Sequence, residues 1–144
     1  MKTLEDQMSF YAAYHQDARN KATHFVGVPL IMFSLFVLLA LVRINVGGFS
    51  ISAATVLAVV VLVYYFRLDA VLAAAMTLFV AVLLVGAHGV ASEGVRPALV
   101  VFAATFIGGW ALQLIGHVFE GKKPALMDNF FQVFIAPIFL MAEV

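Results

Sequence analysis

Cysteine is missing from the sequence, which removes disulfides, zinc–thiolate centres and thiol nucleophiles from consideration. Charge is almost as scarce. Only 11% of the residues are charged, where a soluble domain carries about a quarter. Acidic and basic residues balance at eight each, so no polyanionic partner is implied. No basic cluster interleaved with aromatics suggests nucleic acid. A P-loop, a nucleophile elbow and an HExxH zinc motif are also missing. The first 24 residues are mixed polar and lack the short apolar core and small-residue cleavage site of a signal peptide. The first apolar run is therefore expected to be a retained membrane helix.

Apolar residues fill the space left by charge, making up 65% of the chain with a mean hydropathy of +1.08. Such a composition predicts an all-α integral membrane protein folded as a single domain over residues 1–144. A membrane-spanning helix needs about 20 mostly apolar residues. Four runs qualify as transmembrane helices: 25–42, 51–66, 70–85 and 98–115, the last able to continue to Glu120 before Gly121 stops it. Arg43 and the turn signal Gly47–Gly48 close the first run, and Arg67–Leu68–Asp69 separates the second from the third. Residues 86–97, with three glycines, Glu93 and Arg96, read as a loop that carries His88. The final run, 130–144, contains Pro137 and is short for a crossing, which predicts a re-entrant or interfacial helix.

Four crossings place Lys2, Arg19, Lys21, Arg67, Lys122 and Lys123 on one side and Arg43 and Arg96 on the other. The positive-inside rule then puts the amino terminus in the cytoplasm. Three of the four histidines, His15, His24 and His117, fall on that side together with Asp69, Glu120 and Asp128. Gln113, His117 and Glu120 are spaced i, i+4, i+7, and so are Asn20, His24 and Gly27; each set lies on one helix face. Polar stripes near a bilayer tend to face the bundle interior, so the two stripes predict a shared pocket.

His15 and His24 are nine residues apart, which at about 100° per residue sets them on opposite faces of a straight helix. Asp17 is a good N-cap and offers a break. An amphipathic helix over residues 3–14, a corner at 15–17 and a new helix from Ala18 would let His15 fold back toward His24. Imidazoles plus a carboxylate, with no thiolate, suit Fe(II), Mn(II), Zn(II) or Cu(II). Four histidines are too few for a two-iron membrane desaturase, and they sit at span ends rather than paired within spans as a haem would require.

Three blocks carry a family resemblance. The first is Tyr14, His15, Asn20, His24, Gly27 and Pro29; the second is Tyr64, Tyr65, Leu68 and Asp69. The third runs through Trp110, Gln113, Gly116, His117, Glu120, Gly121, Pro124, Ala125 and Leu126. Together they make the chain resemble the 2-hydroxy fatty acid dioxygenase family from about Tyr11 onward. Eukaryotic members of that family work in the breakdown of phytosphingosine to odd-chain fatty acids. Two departures stand out: Ala18 occupies a position where many members have proline, and the family pattern leads one to expect a few residues after Val144.

The resemblance implies an Fe(II)-dependent oxygenase acting on a 2-hydroxy fatty acid and O2 to give a fatty acid one carbon shorter, an α-oxidation. It implies His15, His24 and His117 as metal ligands. Glu120 would be a fourth ligand or an acceptor that orients an imidazole, and Asn20, Gln113 and Asp69 would be pocket groups holding ligands or substrate. The expected setting is a bacterial inner membrane, or the endoplasmic reticulum in a eukaryote, with the site on the cytoplasmic side. Two other readings stay open: a metal enzyme acting on a different lipid, and a small non-enzymatic membrane protein that binds lipid or a partner. Oligomeric state is left open.

Overall fold

The computed structural model describes residues 3–13, 17–121 and 135–143. Among them the chain is mostly helical: α1 (Leu4–Ala12), α2 (Ala18–Ala40), a hairpin of β1 (Arg43–Val46) and β2 (Phe49–Ser52), α3 (Ala53–Leu68), α4 (Ala70–Ser92), α5 (Val95–Glu120) and α6 (Ile135–Glu143). Three helices, α2, α4 and α5, are long and apolar enough to cross a membrane, and α3 is a shorter apolar helix of 16 residues. Their outward faces are apolar, with Val71, Leu78, Val85 and Val118 each more than 70% exposed. Water would penalise a surface of that kind heavily, whereas a lipid surround suits it.

Local chemistry explains most boundaries. Thr3 and Asp6 form a reciprocal capping box at the start of α1. Asp17 caps α2, Ser52 caps α3 through its hydroxyl on the Thr55 amide, and Asp69 caps α4. Gly121, at φ 73°, takes the left-handed conformation that ends α5. α2 therefore begins at Ala18, next to the expected corner, and α5 runs on to Glu120 as anticipated. The rest of the proposed corner and the far end of the expected first helix fall on residues 14–16, outside the described residues. So do the start of the final expected helix and its last residue, although α6 forms within that run.

Two expectations need correction. The all-helical reading missed the hairpin: β1 and β2 pair antiparallel, Arg43 opposite Ser52 and Val46 opposite Phe49. Gly47 and Gly48 close it at φ 56° and 85°, the positive-φ pair that a two-residue turn of this kind requires. The expected loop over 86–97 shrinks to a turn at Glu93–Gly94, because α4 continues to Ser92. His88 therefore sits on a helix. A glycine inside a helix costs only about 1 kcal/mol relative to alanine. In an apolar surround the continuous backbone hydrogen bonding of a helix outweighs that cost.

The helices run up and down in sequence order, and α2 packs most extensively against α5, antiparallel to it. α1 is fixed beside the end of α3 by a 2.9 Å bond from the buried Gln7 amide to the Tyr64 hydroxyl. Tyr11 of α1 packs its ring 4.7 Å from Phe139 of α6, and burial pushes the Tyr11 phenol well above its ordinary pKa. α1 and α6 thereby cover the end of the bundle at which α3 finishes and α4 starts.

Candidate functional site

The inward stripe of α2 is Asn20, His24, Gly27, Ile31 and Ser34, all buried. Opposite it, α5 buries Gly109, Gln113, Gly116 and His117. Glycine lets the two backbones approach. A Cβ on Gly109 would stand 2.7 Å from Ile31 Cγ1, and one on Gly27 would stand 2.9 Å from the Gly109 carbonyl. A Cβ on Gly116 would collide with Thr23 Oγ1 and Asn20 Oδ1. Close packing through small residues is a common way for membrane helices to associate. Here it draws the two polar stripes into contact, as their spacing predicted.

His24 and His117 meet edge to face, with ring centroids 5.0 Å apart and planes at 81°. They are 2% and 5% exposed, so both imidazoles are held out of solvent. The Asn20 carbonyl lies 2.8 Å from His24 Nδ1, and a carbonyl can only accept. Nδ1 of His24 therefore carries a proton, and in the neutral ring that leaves the lone pair on Nε2, the tautomer a metal ligand needs. The same carbonyl accepts from the Thr23 hydroxyl at 2.7 Å, which helps fix its direction.

Gln113 sits one turn before His117, buried against Gly27. Its Oε1 atom has no hydrogen-bond partner among the described residues. A buried carbonyl left this way costs about 1–3 kcal/mol, so this atom gains more than most from a bound donor or cation. Glu120, just under one turn beyond His117, accepts from the Asp17 amide at 2.5 Å and joins the end of α5 to the start of α2. Asp17 Oδ1 accepts from the Arg19 amide at 2.8 Å, and Oδ2 meets the Arg19 guanidinium at 3.0 Å. The Arg19 guanidinium beside it holds the Asp17 carboxyl below the usual carboxylate range. Arg19 also lies over the Phe119 ring, 4.5 Å from its centre, a second link between the two helices.

Asn20, His24, Gln113 and His117 are thus brought together in the α2–α5 interface, with Glu120 at its edge. Asp69 is placed in the turn between α3 and α4, where its Oδ1 accepts from the Val71 and Leu72 amides at 2.9 and 3.0 Å. His15, Lys122, Lys123 and Asp128 lie outside the described residues. Among the described residues no three His, Asp or Glu side chains converge as a metal site. What the described part offers is two adjacent buried imidazoles, a buried amide oxygen and a nearby carboxylate. An all-nitrogen-and-oxygen donor set of that kind fits a divalent first-row metal.

Sequence reasoning overlooked Thr23, Arg19 with Phe119, and the role of Gly109 and Gly116. The available signal was the seven-residue spacing of those glycines around Gln113, which puts them on its face. It also overlooked a second polar contact at the far end of the bundle, where His88 Nε2 lies 2.7 Å from Ser52 Oγ.

Comparison with known proteins agrees with the resemblance read from the motifs. A family model described as "2-hydroxy-palmitic acid dioxygenase Mpo1-like" matches residues 1–144. A curated relative, 2-hydroxy-palmitic acid dioxygenase MPO1 of Saccharomyces cerevisiae, is 34% identical to the chain, and the match covers 97% of this chain and 78% of that protein. No solved structure matches. With the family model matched along the whole chain and the relative matched along nearly all of it, this protein belongs to the Mpo1-like 2-hydroxy-palmitic acid dioxygenase family.

Proposed function

We propose that this chain is a membrane-embedded, Fe(II)-dependent dioxygenase that converts a 2-hydroxy fatty acid and O2 to a fatty acid one carbon shorter, CO2 and water. The stoichiometry closes: the bond between the carboxyl carbon and the hydroxyl-bearing carbon breaks, that carbon is oxidised to the new carboxyl, and O2 is the oxidant. The observation that carries the proposal is the buried His24–His117 pair, with the His24 tautomer fixed by the Asn20 carbonyl. Family membership supplies the substrate class.

His24 and His117 would hold the metal, with His15 as the third imidazole and Glu120 as a further ligand or as an acceptor behind an imidazole. Bound Fe(II) would supply the activation of O2. The chain's own residues do the rest. The Asn20 carbonyl keeps the His24 proton on Nδ1. Gln113 Oε1 offers an acceptor to the 2-hydroxyl proton. The tight α2–α5 seam excludes water from the imidazoles, and the apolar helix faces accommodate the acyl chain. In this reading α3 is the fourth crossing, and the amino terminus and the site face the cytoplasm, the side richer in Lys and Arg. Asp69 acts in this scheme through the start of α4 rather than on substrate.

The test is anaerobic Fe(II) loading of purified protein, followed by metal analysis and O2 consumption on 2-hydroxypalmitate. Stoichiometric iron and product one carbon shorter are expected. Iron retained by His117→Ala at the wild-type level, with full turnover, would remove that residue from the site. Iron without turnover would point to a different lipid, and no iron at all to a non-enzymatic lipid-binding protein.

A further inference from the structure

A cleft of about 620 Å³ lies at the hairpin end of the bundle, opposite the His24–His117 pair. Arg43, Ser52, Thr55 and His88 line it together with apolar Leu41 and Ile51, and none of the described residues that line it is acidic. Ser52 is 1% exposed. Its hydroxyl accepts from the Thr55 amide at 3.1 Å and lies 2.7 Å from His88 Nε2, so the hydroxyl and the imidazole are held in place together. Across the cleft, the Arg43 guanidinium donates to Ser50 Oγ and to the Ser50 carbonyl, both at 3.0 Å. Those bonds hold the side chain on its own hairpin and use two of its five N–H donors. The one ion pair among the described residues is Arg19 with Asp17, so Arg43 brings an unneutralised charge to the cleft.

From these features we infer that the cleft binds the anionic headgroup of an amphiphile, a phosphate or carboxylate on an acyl chain, at a site separate from the oxygenase centre. The chemistry matches at both ends of such a ligand. A guanidinium with N–H donors to spare and the Ser50 hydroxyl, which accepts from Arg43 Nε and keeps its own O–H to donate, suit an oxyanion. The apolar part of the lining, Ala40, Leu41, Ile51 and Ala91, suits the first carbons of an acyl chain. Arg43, just past the end of α2, can reach the headgroup level with its long side chain. The inference does not depend on the oxygenase reading, since it uses none of the same residues.

The experiment places the full chain in nanodiscs of phosphatidylcholine containing a minor share of phosphatidylglycerol, and counts co-purifying lipid by native mass spectrometry. Wild type is expected to retain phosphatidylglycerol about two- to fivefold beyond its share, the range an exposed charge pair provides. Arg43→Gln is expected to lose that preference. Arg96→Gln, at the other arginine of the same end, is expected to keep it. Ile51→Asp, which adds a negative charge to the cleft, is expected to lose it as well and serves if Arg43→Gln does not fold. Retention in proportion to lipid share by wild type would overturn the inference, and so would equal losses in Arg43→Gln and Arg96→Gln. Displacement of the lipid by millimolar inorganic phosphate would also overturn it, because the site would then serve a free anion and not a headgroup.

Discussion

At one end of the bundle His24 and His117 are buried side by side, between two helices that touch through glycine. At the other end His88 is half-buried, bonded to a helix-capping serine, beside an exposed arginine and an open cleft. The same side chain is set up for different chemistry by its surroundings. The first pair is dry, and a backbone carbonyl holds the proton of His24 on Nδ1, which suits metal ligation. The second is wet at its rim and close to a positive charge, which suits an anion. Gly27, Gly109 and Gly116 close the α2–α5 seam, while at the opposite end hairpin residues line an open cleft.

The seam offers the largest test of that contrast. Gly116→Val should prevent the seam from closing, since even a Cβ there collides with Thr23 and Asn20, and the folded yield in detergent should collapse. Gly116→Ala should cost about 1–3 kcal/mol, the range for overpacking, read as thermal unfolding. Gly108→Ala, on the same helix with nothing within 4 Å, should leave stability unchanged or slightly raised. Equal behaviour of the two alanine variants would break the argument for a glycine-closed site.

Next in size, His24→Ala and His117→Ala should each reduce iron affinity by more than the roughly 10–100-fold that loss of an orienting partner costs, checked by metal titration. Gln113→Leu should weaken 2-hydroxypalmitate turnover while leaving iron content near wild type. Full turnover in that variant would show that the buried oxygen plays no part in holding substrate.

At the hairpin end the effects should be smaller. Ser52→Ala removes the α3 cap and the His88 partner and should cost about 1 kcal/mol, visible in thermal unfolding. Smallest of all is the pH response of Asp17. Its folded pKa is depressed by Arg19, so its contribution to stability is complete above the ordinary carboxylate range, about pH 4. That contribution fades as pH falls through the lower folded value. Asp17→Asn keeps a capping oxygen and should flatten the acid limb of the stability profile below about pH 4. An unchanged limb would assign the acid response to other carboxylates.

Much of the bundle could be read from short-range chemistry. Asp17 caps α2, Gly121 ends α5, and Asp69 breaks the chain between α3 and α4. Each follows from one residue and its neighbours, which is why each was legible. Gly86 and Gly89 misled, because a glycine marks a turn only where water can take over the freed backbone groups. The hairpin at 43–52 was missed because its strands are four residues each, too short for alternation to stand out from an apolar background.

By itself, the sequence determined that the protein is a membrane-type helical chain whose polar stripes repeat at helical spacing on Asn20–His24–Gly27 and Gln113–His117–Glu120. Periodicity is a local property, so it survives without knowledge of the fold. The tertiary structure decided which stripes meet and how closely. That His24 and His117 stand 5.0 Å apart and that His88 pairs with Ser52 both depend on residues far apart in sequence and on the exact approach of two elements. Close approach is set by the absence of a side chain at Gly109 and Gly116, a fact that acquires meaning only when a second helix lies against them.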